Sequence, residues 1–448
     1  MLIAATGLGV LTLLGITTPW VLLTFTFLLG LGAAMNAPAW QAIVPELVPI
    51  QELPAAIALN SVGFNISRAI GPALGGLVVA AAGPYAAFLL NAVTFLGVIV
   101  LLYRWRRPPR ESTLPAERLF GAVRAGLRYV RQSPSLRAVL VRSGLFIIFG
   151  SALWALLPLF ARIELGRGPA GYGTLLTCLG AGAVAGATVL PTIRRSLSID
   201  LIAICATIVF ALVLIALAYL RDFRLVCLAM IAGGGAWLTL LSNLNTAVQA
   251  SVPSWVRARA ISVYLLVFFG GFAGGSTIWG ATATHLGMKT TFVIASIGML
   301  LGLLAALHYR LKDFEGLDLS PTKRWPAPTM AHKVELDHGP VLVTIEYKID
   351  PLRSHDFANA MYNVSTLRLR DGAVSWNLFK DTSDPGRYLE TFIVESWLEH
   401  LRQHERVTVA DRELLDWVLT FHIGDKPPVV SHFIAERLPK HEKEEKEN

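Results

Sequence analysis

Arg68 is the only Arg, Lys, Asp or Glu in the middle third of any long apolar run of this chain. A charge at that depth costs about 2.5–3.5 kcal/mol on insertion scales, so its side chain must meet protein, water or a ligand. A guanidinium presents a planar fork that suits an anionic or catechol-like molecule with paired oxygens. The same group can also lock helices in one state, or bond to backbone carbonyls beside the Gly71-Pro72 step. Asn36, Gln41, Asn60 and Asn65 are amides within the surrounding apolar runs, and Asn245 and Gln249 repeat the type further on. These are candidate cavity-lining residues; the alternative is helix–helix bonding, worth about 0.6 kcal/mol per amide. Trp40, Trp154, Trp237 and Trp279 offer stacking faces for an aromatic ligand, or interface anchors. Gly71, Pro72, Gly75 and Gly76 form a mechanical motif, because proline removes a helix hydrogen bond and small residues let another helix approach.

Other chemistry is missing. The sequence holds no Ser-His-Asp set, no phosphate-binding glycine loop and no CxxC. Cys178, Cys205 and Cys227 all lie in apolar runs, which suggests neither a disulfide framework nor a metal site. His400 and His404 share one helical face, but no third ligand accompanies them. The expectation is therefore no catalytic residue, no metal and no cofactor. Proton coupling normally needs an acid or histidine within the membrane; Glu46, Glu164 and Asp222 stand only at the ends of apolar runs.

The elements that must position these residues are membrane helices. Of the 448 residues, 54% are hydrophobic and only 16% charged, against about 25% charged in soluble proteins. A span needs about 20 mostly apolar residues. Ten candidates meet this: 2–17, 20–44, 56–80, 84–103, 139–162, 171–192, 199–219, 225–249, 260–284 and 289–309. Between Arg104 and Arg137 lie nine arginines against two acids, so this loop faces the cytoplasm and both termini follow it there. The net charge of +8 thereby reflects topology and not nucleic-acid binding. Within the loop, Leu119, Phe120, Val123, Leu127 and Val130 recur at helical spacing opposite Arg118, Arg124, Arg128 and Arg131. That pattern is an amphipathic helix on the inner membrane surface, or else a solvated linker.

One stretch occurs twice. Gln41, Pro45, Ile57, Gly71 and Gly76 match Gln249, Pro253, Ile261, Gly275 and Gly280 with one short gap. Two copies of one half-domain, with a binding site between them, are a known transporter plan. The spans divide as four, loop, six, so the first half is two helices short; a truncated gene or an upstream start is the expectation. The two halves, the basic central loop and the run Gly71-Pro72-Ala73-Leu74-Gly75-Gly76 resemble the major facilitator superfamily and the motif of its exporters. The wording NAPAWQAIVPELV and ALNSVGFNISRAIGPALGG is similar to the enterobactin-exporter-like branch, the transmembrane secretion effectors. The resemblance implies proton-driven export of a small hydrophobic or catecholate molecule by alternating access in a bacterial inner membrane. The exporters' fourth-helix arginine has no counterpart; Thr24 and Thr26 stand there.

After a Pro-rich linker the composition turns soluble. Strands are expected at 341–349, 374–380, 388–395 and 429–436, and helices at 351–370 and 397–421. This βαββαβ order is a ferredoxin-like unit, and it resembles dimeric α+β barrel domains of the antibiotic-biosynthesis-monooxygenase type, which implies self-association. The expected organisation is thus an all-α membrane part with an α+β tail: 1–103 a partial first half, 104–138 the basic loop, 139–310 the second half, 311–328 a linker, 329–440 the ferredoxin-like domain and 441–448 a disordered end. Its partners would be the lipid bilayer and a small molecule, with no nucleic acid. The rival reading is a membrane-anchored oxidoreductase or ligand sensor acting through the tail, or a non-functional remnant.

Overall fold

The computed structural model describes residues 1–48, 52, 63, 67, 71, 75, 78–79, 81–105, 119–311, 318–320, 322 and 335–436. The chain forms two compact units: Met1–Thr113, Ala138–Val248 and Ile261–Asp313 make the first, and Leu114–Arg137, Gln249–Ala260 and Phe314–Asn448 the second.

The helices before the tail are α1 (Leu2–Leu13), α2 (Pro19–Leu47), α3 (Pro84–Arg104), α4 (Leu119–Gln132), α5 (Pro134–Ile163), α6 (Pro169–Ile193), α7 (Ile199–Tyr219), α8 (Phe223–Ala250), α9 (Ser254–Gly302) and the short α10 (Ala305–His308). Their starts follow local chemistry. Proline opens α2, α3 and α6, where its missing N–H is no loss. Thr18 and Ser198 cap α2 and α7 by accepting from Val21 and Leu201. α9 is two helices joined across Gly287, whose φ of 78° breaks the run at the place where the sequence separates 260–284 from 289–309. The expected span 56–80 falls mostly outside the described residues. Among those described, six helices are long and apolar enough to cross a membrane, with α9 and α10 taken as one run; Leu2–Leu13 is a shorter apolar helix.

In the first unit, large apolar side chains point outward: Leu212, Leu228 and Leu266 are 59%, 62% and 72% exposed. Lipid tails are as apolar as leucine, so such faces need no protein cover and helix association must come from packing. Glycines supply it. A Cβ at Gly182 of α6 would overlap the Ile231 carbonyl of α8, and one at Gly234 of α8 would overlap the Leu179 carbonyl of α6. Gly275 of α9 lies as tightly on Ile148 and Ser151 of α5. At one end Arg142 of α5 meets Asp200 of α7 at 2.8 Å, and Asp200 also accepts from the Leu311 backbone N–H. Elsewhere Glu164 meets Arg221 at 2.8 Å.

The second unit contains a four-stranded sheet of β1 (Val341–Lys348), β2 (Ala373–Lys380), β3 (Arg387–Val394) and β4 (Val429–Ile434) in the order β2-β3-β1-β4. Every neighbouring pair is antiparallel. A 3-10 turn, Pro351–Arg353, leads into α11 (Ser354–Asp371), and α12 (Trp397–Arg406) and α13 (Val409–Leu419) follow β3. The strand expectations hold to within one or two residues. The single helix expected over 397–421 is a pair. Val407 is extended, and Thr408 starts α13 with a reciprocal capping box to Asp411. β1 turns Val343, Ile345 and Tyr347 inward against Phe357 and Met361 of α11. Its alternate residues share a more open face, where Leu342 is in register with Ile393 and Phe433, the latter two 37% and 55% exposed.

Valine at Gly234 will collide with backbone and lower the stability of the detergent-solubilised chain, by the roughly 1–3 kcal/mol typical of overpacking. Valine at Gly280, where an added Cβ meets no atom within 4 Å, will leave the unfolding midpoint near the parent's. Equal midpoints for the two variants would show that the α6–α8 approach does not hold the bundle.

Candidate functional site

The predicted site residues fare differently. Arg68, Asn60, Asn65, Pro72 and Gly76 lie outside the described residues. Gly71 and Gly75 are helical, with no atom within 4 Å of an added Cβ. Asn36 is exposed on α2, and Gln41 follows on the same helix. Asn245 is exposed on α8, while Gln249, one turn on, is half-buried. Asn243 is buried and ties α8 to the end of α6, its Oδ1 accepting from Arg194 Nε at 3.0 Å.

The tryptophans offered as stacking faces are largely packed. Trp237 meets Trp154 at 5.5 Å, Phe146 at 5.4 Å and Phe210 at 5.4 Å between ring centres. Trp279 donates its Nε1 proton to the Ile148 carbonyl, whereas Trp40 is exposed. Trp154 Nε1 of α5 and Ser276 Oγ of α9 are among several buried polar atoms with no hydrogen-bond partner among the described residues. Buried polar groups are rarely left so, and a bound polar group is one explanation. The two helices are those that close on each other at Gly275. Trp154 was a sequence candidate; Ser276 was not, though it follows the Gly274-Gly275 pair directly.

In the second unit Glu390, wholly buried, accepts from Tyr347 Oη at 3.0 Å, Arg368 Nε at 3.1 Å and Trp376 Nε1 at 3.0 Å. Burial alone would lower the Arg368 pKa, but the Glu390 carboxylate raises it above the ordinary value. The three donors around Glu390 are thereby committed to it. Sequence reading passed over Glu390, although Tyr388, Glu390, Phe392 and Val394 alternate on one face and place it inward. His400 Nε2 and His404 Nε2 stand 3.2 Å apart, and the His432 ring lies 4.7 Å from that of His400. Among the described residues no three His, Cys, Asp or Glu are arranged to hold a metal ion. Burial first, then neighbouring positive charge, pushes His400 down to about 3 and His404 down to about 4. A cavity of about 260 Å³ lies between α4, α11 and α13, lined by Tyr129, Gln132, Ser251, Thr366, Arg370 and Asp411 among others.

Long apolar helices, packed through glycines and presenting leucines outward, define a multi-pass membrane protein. The family model described as transmembrane secretion effector matches residues 1–440, and the chain belongs to that family of major facilitator transporters. It is 27% identical over 299 residues to the uncharacterized MFS-type transporter y4rN of Sinorhizobium fredii, covering 66% of this chain and 73% of that one. It is 27% identical to the multidrug efflux pump Tap of Mycolicibacterium fortuitum, covering 56% of this chain and 62% of Tap. With the enterobactin exporter EntS of Salmonella choleraesuis it shares 27% identity, over 62% of this chain and 67% of that protein. The crystal structure of the E. coli fucose:proton symporter FucP superposes with a TM-score of 0.50 at 15% identity, covering 69% of this chain and 81% of FucP. That likeness shows a shared fold.

The histidines give the second unit a pH dependence. An unfolded histidine titrates near its ordinary 6.5, while His400 and His404 titrate at about 3 and about 4. As pH falls from 6.5 the unfolded state takes up protons first, so stability is lost progressively down to about pH 4 for His404 and about pH 3 for His400. Asp371, raised by burial, works in the opposite direction, so parent and variant must be compared. Thermal unfolding of the full chain between pH 7 and pH 4.5 will show a shallower loss in His404→Asn than in the parent. An identical slope in both would remove His404 as a cause.

Proposed function

We propose that this chain exports a small hydrophobic or catecholate, siderophore-like molecule by alternating access, driven by a proton gradient. The family match over residues 1–440 is the observation that carries this reading. Relatives named as a multidrug efflux pump and an enterobactin exporter point its direction outward. On this reading residues 1–103 and 139–310 are the two halves, 104–138 is the cytoplasmic connector, and both termini are cytoplasmic. Arg68, with Asn60 and Asn65 beside it in sequence, contacts substrate; Asn36, Gln41, Asn245 and Gln249 line the path. Gly71, Pro72, Gly75 and Gly76 let the halves move.

We read residues 329–440, after the linker 311–328, as a ferredoxin-like domain. Its antiparallel order β2-β3-β1-β4 and its one strand–helix–strand–strand–helices–strand sequence support this. Its open face, with Ile393, Phe379 and Phe433 exposed, suits a second copy of the same domain. The donors around Glu390 are bonded to it, which favours a structural role over an enzymatic one.

Arg68 is the sharpest test. Arg68→Lys keeps the charge and loses the planar fork; Arg68→Gln loses both. Export of a catecholate siderophore from cells will fall in both variants, more in Arg68→Gln, at normal membrane expression. A joint fall of expression, thermal stability and export would assign Arg68 a structural role. Normal export by well-expressed Arg68→Gln would rule out substrate binding.

A further inference from the structure

The basic face of α4 is not free in the second unit. Arg128 reaches Glu399 of α12 at 3.0 Å, and both side chains are mostly covered, at 17% and 13% exposure. Glu399 also holds Arg406 at 2.7 Å, and Arg124 pairs with Glu395 just before α12. Burial would raise the Glu399 carboxyl, but Arg406 and Arg128 hold it below the usual carboxylate range. The Arg406 guanidinium lies 4.6 Å from the centre of the Trp255 ring. Trp255 meets Tyr129 of α4 edge-on at 5.7 Å, and Arg370 of α11 lies 5.4 Å over Tyr129. Gly126 of α4 sits so close to the start of α9 that an added Cβ would stand 2.9 Å from Arg259 Cβ. A ring of charged and aromatic contacts therefore joins three things: the helix α4 between α3 and α5, the first turns of α9, and the helices α11 and α12 of the C-terminal domain.

In sequence, α4 lies in the segment that links the two halves, whereas residues 249–260 link two helices within the second half. α4 runs through Ser133 straight into α5 of the second half, and its other end leads back to α3 of the first, so rocking of one half against the other pulls on a contact that pins α4 to residues 249–260. A contact made in only one state shifts the balance between states, typically by about 5–150-fold. We propose that the C-terminal sheet unit is a latch: it clamps α4 to the turn at 249–260, and the transport cycle requires the clamp to open. This rests on the exporter reading above.

The test uses the full chain with Cys178, Cys205 and Cys227 replaced by serine, in lipid nanodiscs. Leu127→Cys and Ser254→Cys, both at exposed positions, carry spin labels whose separation is measured by pulsed electron resonance. The parent will show a dominant short distance and a minor longer one. Arg128→Ala, which lies outside the sheet domain, and Glu399→Gln will each raise the longer population about fivefold or more. Arg387→Ala, which breaks only the ion pairs to Glu346 and Asp381, will leave it unchanged. One unchanged distance in all variants overturns the latch. In a second arm, a disulfide between Gly126→Cys and Arg259→Cys will stop catecholate export until reduced; full export by the oxidised protein also overturns it. A parent that exports nothing counts against the exporter reading, while the distance measurement still decides the latch.

Discussion

The first unit depends on how helices associate where leucine gains nothing by leaving its surroundings. Outward-facing Leu212, Leu228 and Leu266 are already in a matching solvent if that solvent is lipid. What remains is van der Waals contact, and it grows steeply as backbones approach. That approach is closest where α6 meets α8 at Gly182 and Gly234 and where α5 meets α9 at Gly275, and Gly150 of α5 leaves room for Trp237 and Phe210 in the aromatic cluster. The Arg142–Asp200 pair and the Arg194–Asn243 bond add register near helix ends, where charge costs less than at mid-membrane.

The second unit rests on the opposite balance. Its core of Val343, Ile345, Phe357, Met361 and Phe392 is driven together by water. Within that core one carboxylate, Glu390, is admitted because three donors surround it. Removing Arg368 alone would leave the Glu390 charge without its counter-ion, which is far worse than replacing the pair. The same logic applies at its boundary with α4, where Glu399 is shared between Arg128 and Arg406.

Much of this was legible in the sequence. Helix positions followed from run length, and the Gly287 break from the gap between two apolar runs. The tail strands followed from the strand pattern at 341–349 and the alternation over 374–380 and 388–395. What the sequence hid depended on partners distant along the chain. Gly182 and Gly234 look like any small residues until the opposing carbonyl is known. Glu390 reads as a polar position in a strand until register places it beside Arg368. The arginines of α4 read as a solvated or membrane-facing stripe, since nothing local indicates that Glu395 and Glu399, far along the chain, will meet them. The break at Thr408 was a local signal passed over: Thr408 followed by Asp411 is a helix start inside an apparent helix. Asn243, an amide of the same kind as the candidate Asn245, is bonded to Arg194, which shows how weak a guide type is for an intramembrane amide.

The central claim is that this chain moves a small molecule across a membrane. Its most direct measurement is flux of enterobactin into proteoliposomes holding the purified full chain, under an imposed pH gradient. The account predicts uptake above protein-free vesicles that collapses with a protonophore. Uptake no greater than in protein-free vesicles, with correctly inserted and helical protein, would contradict it.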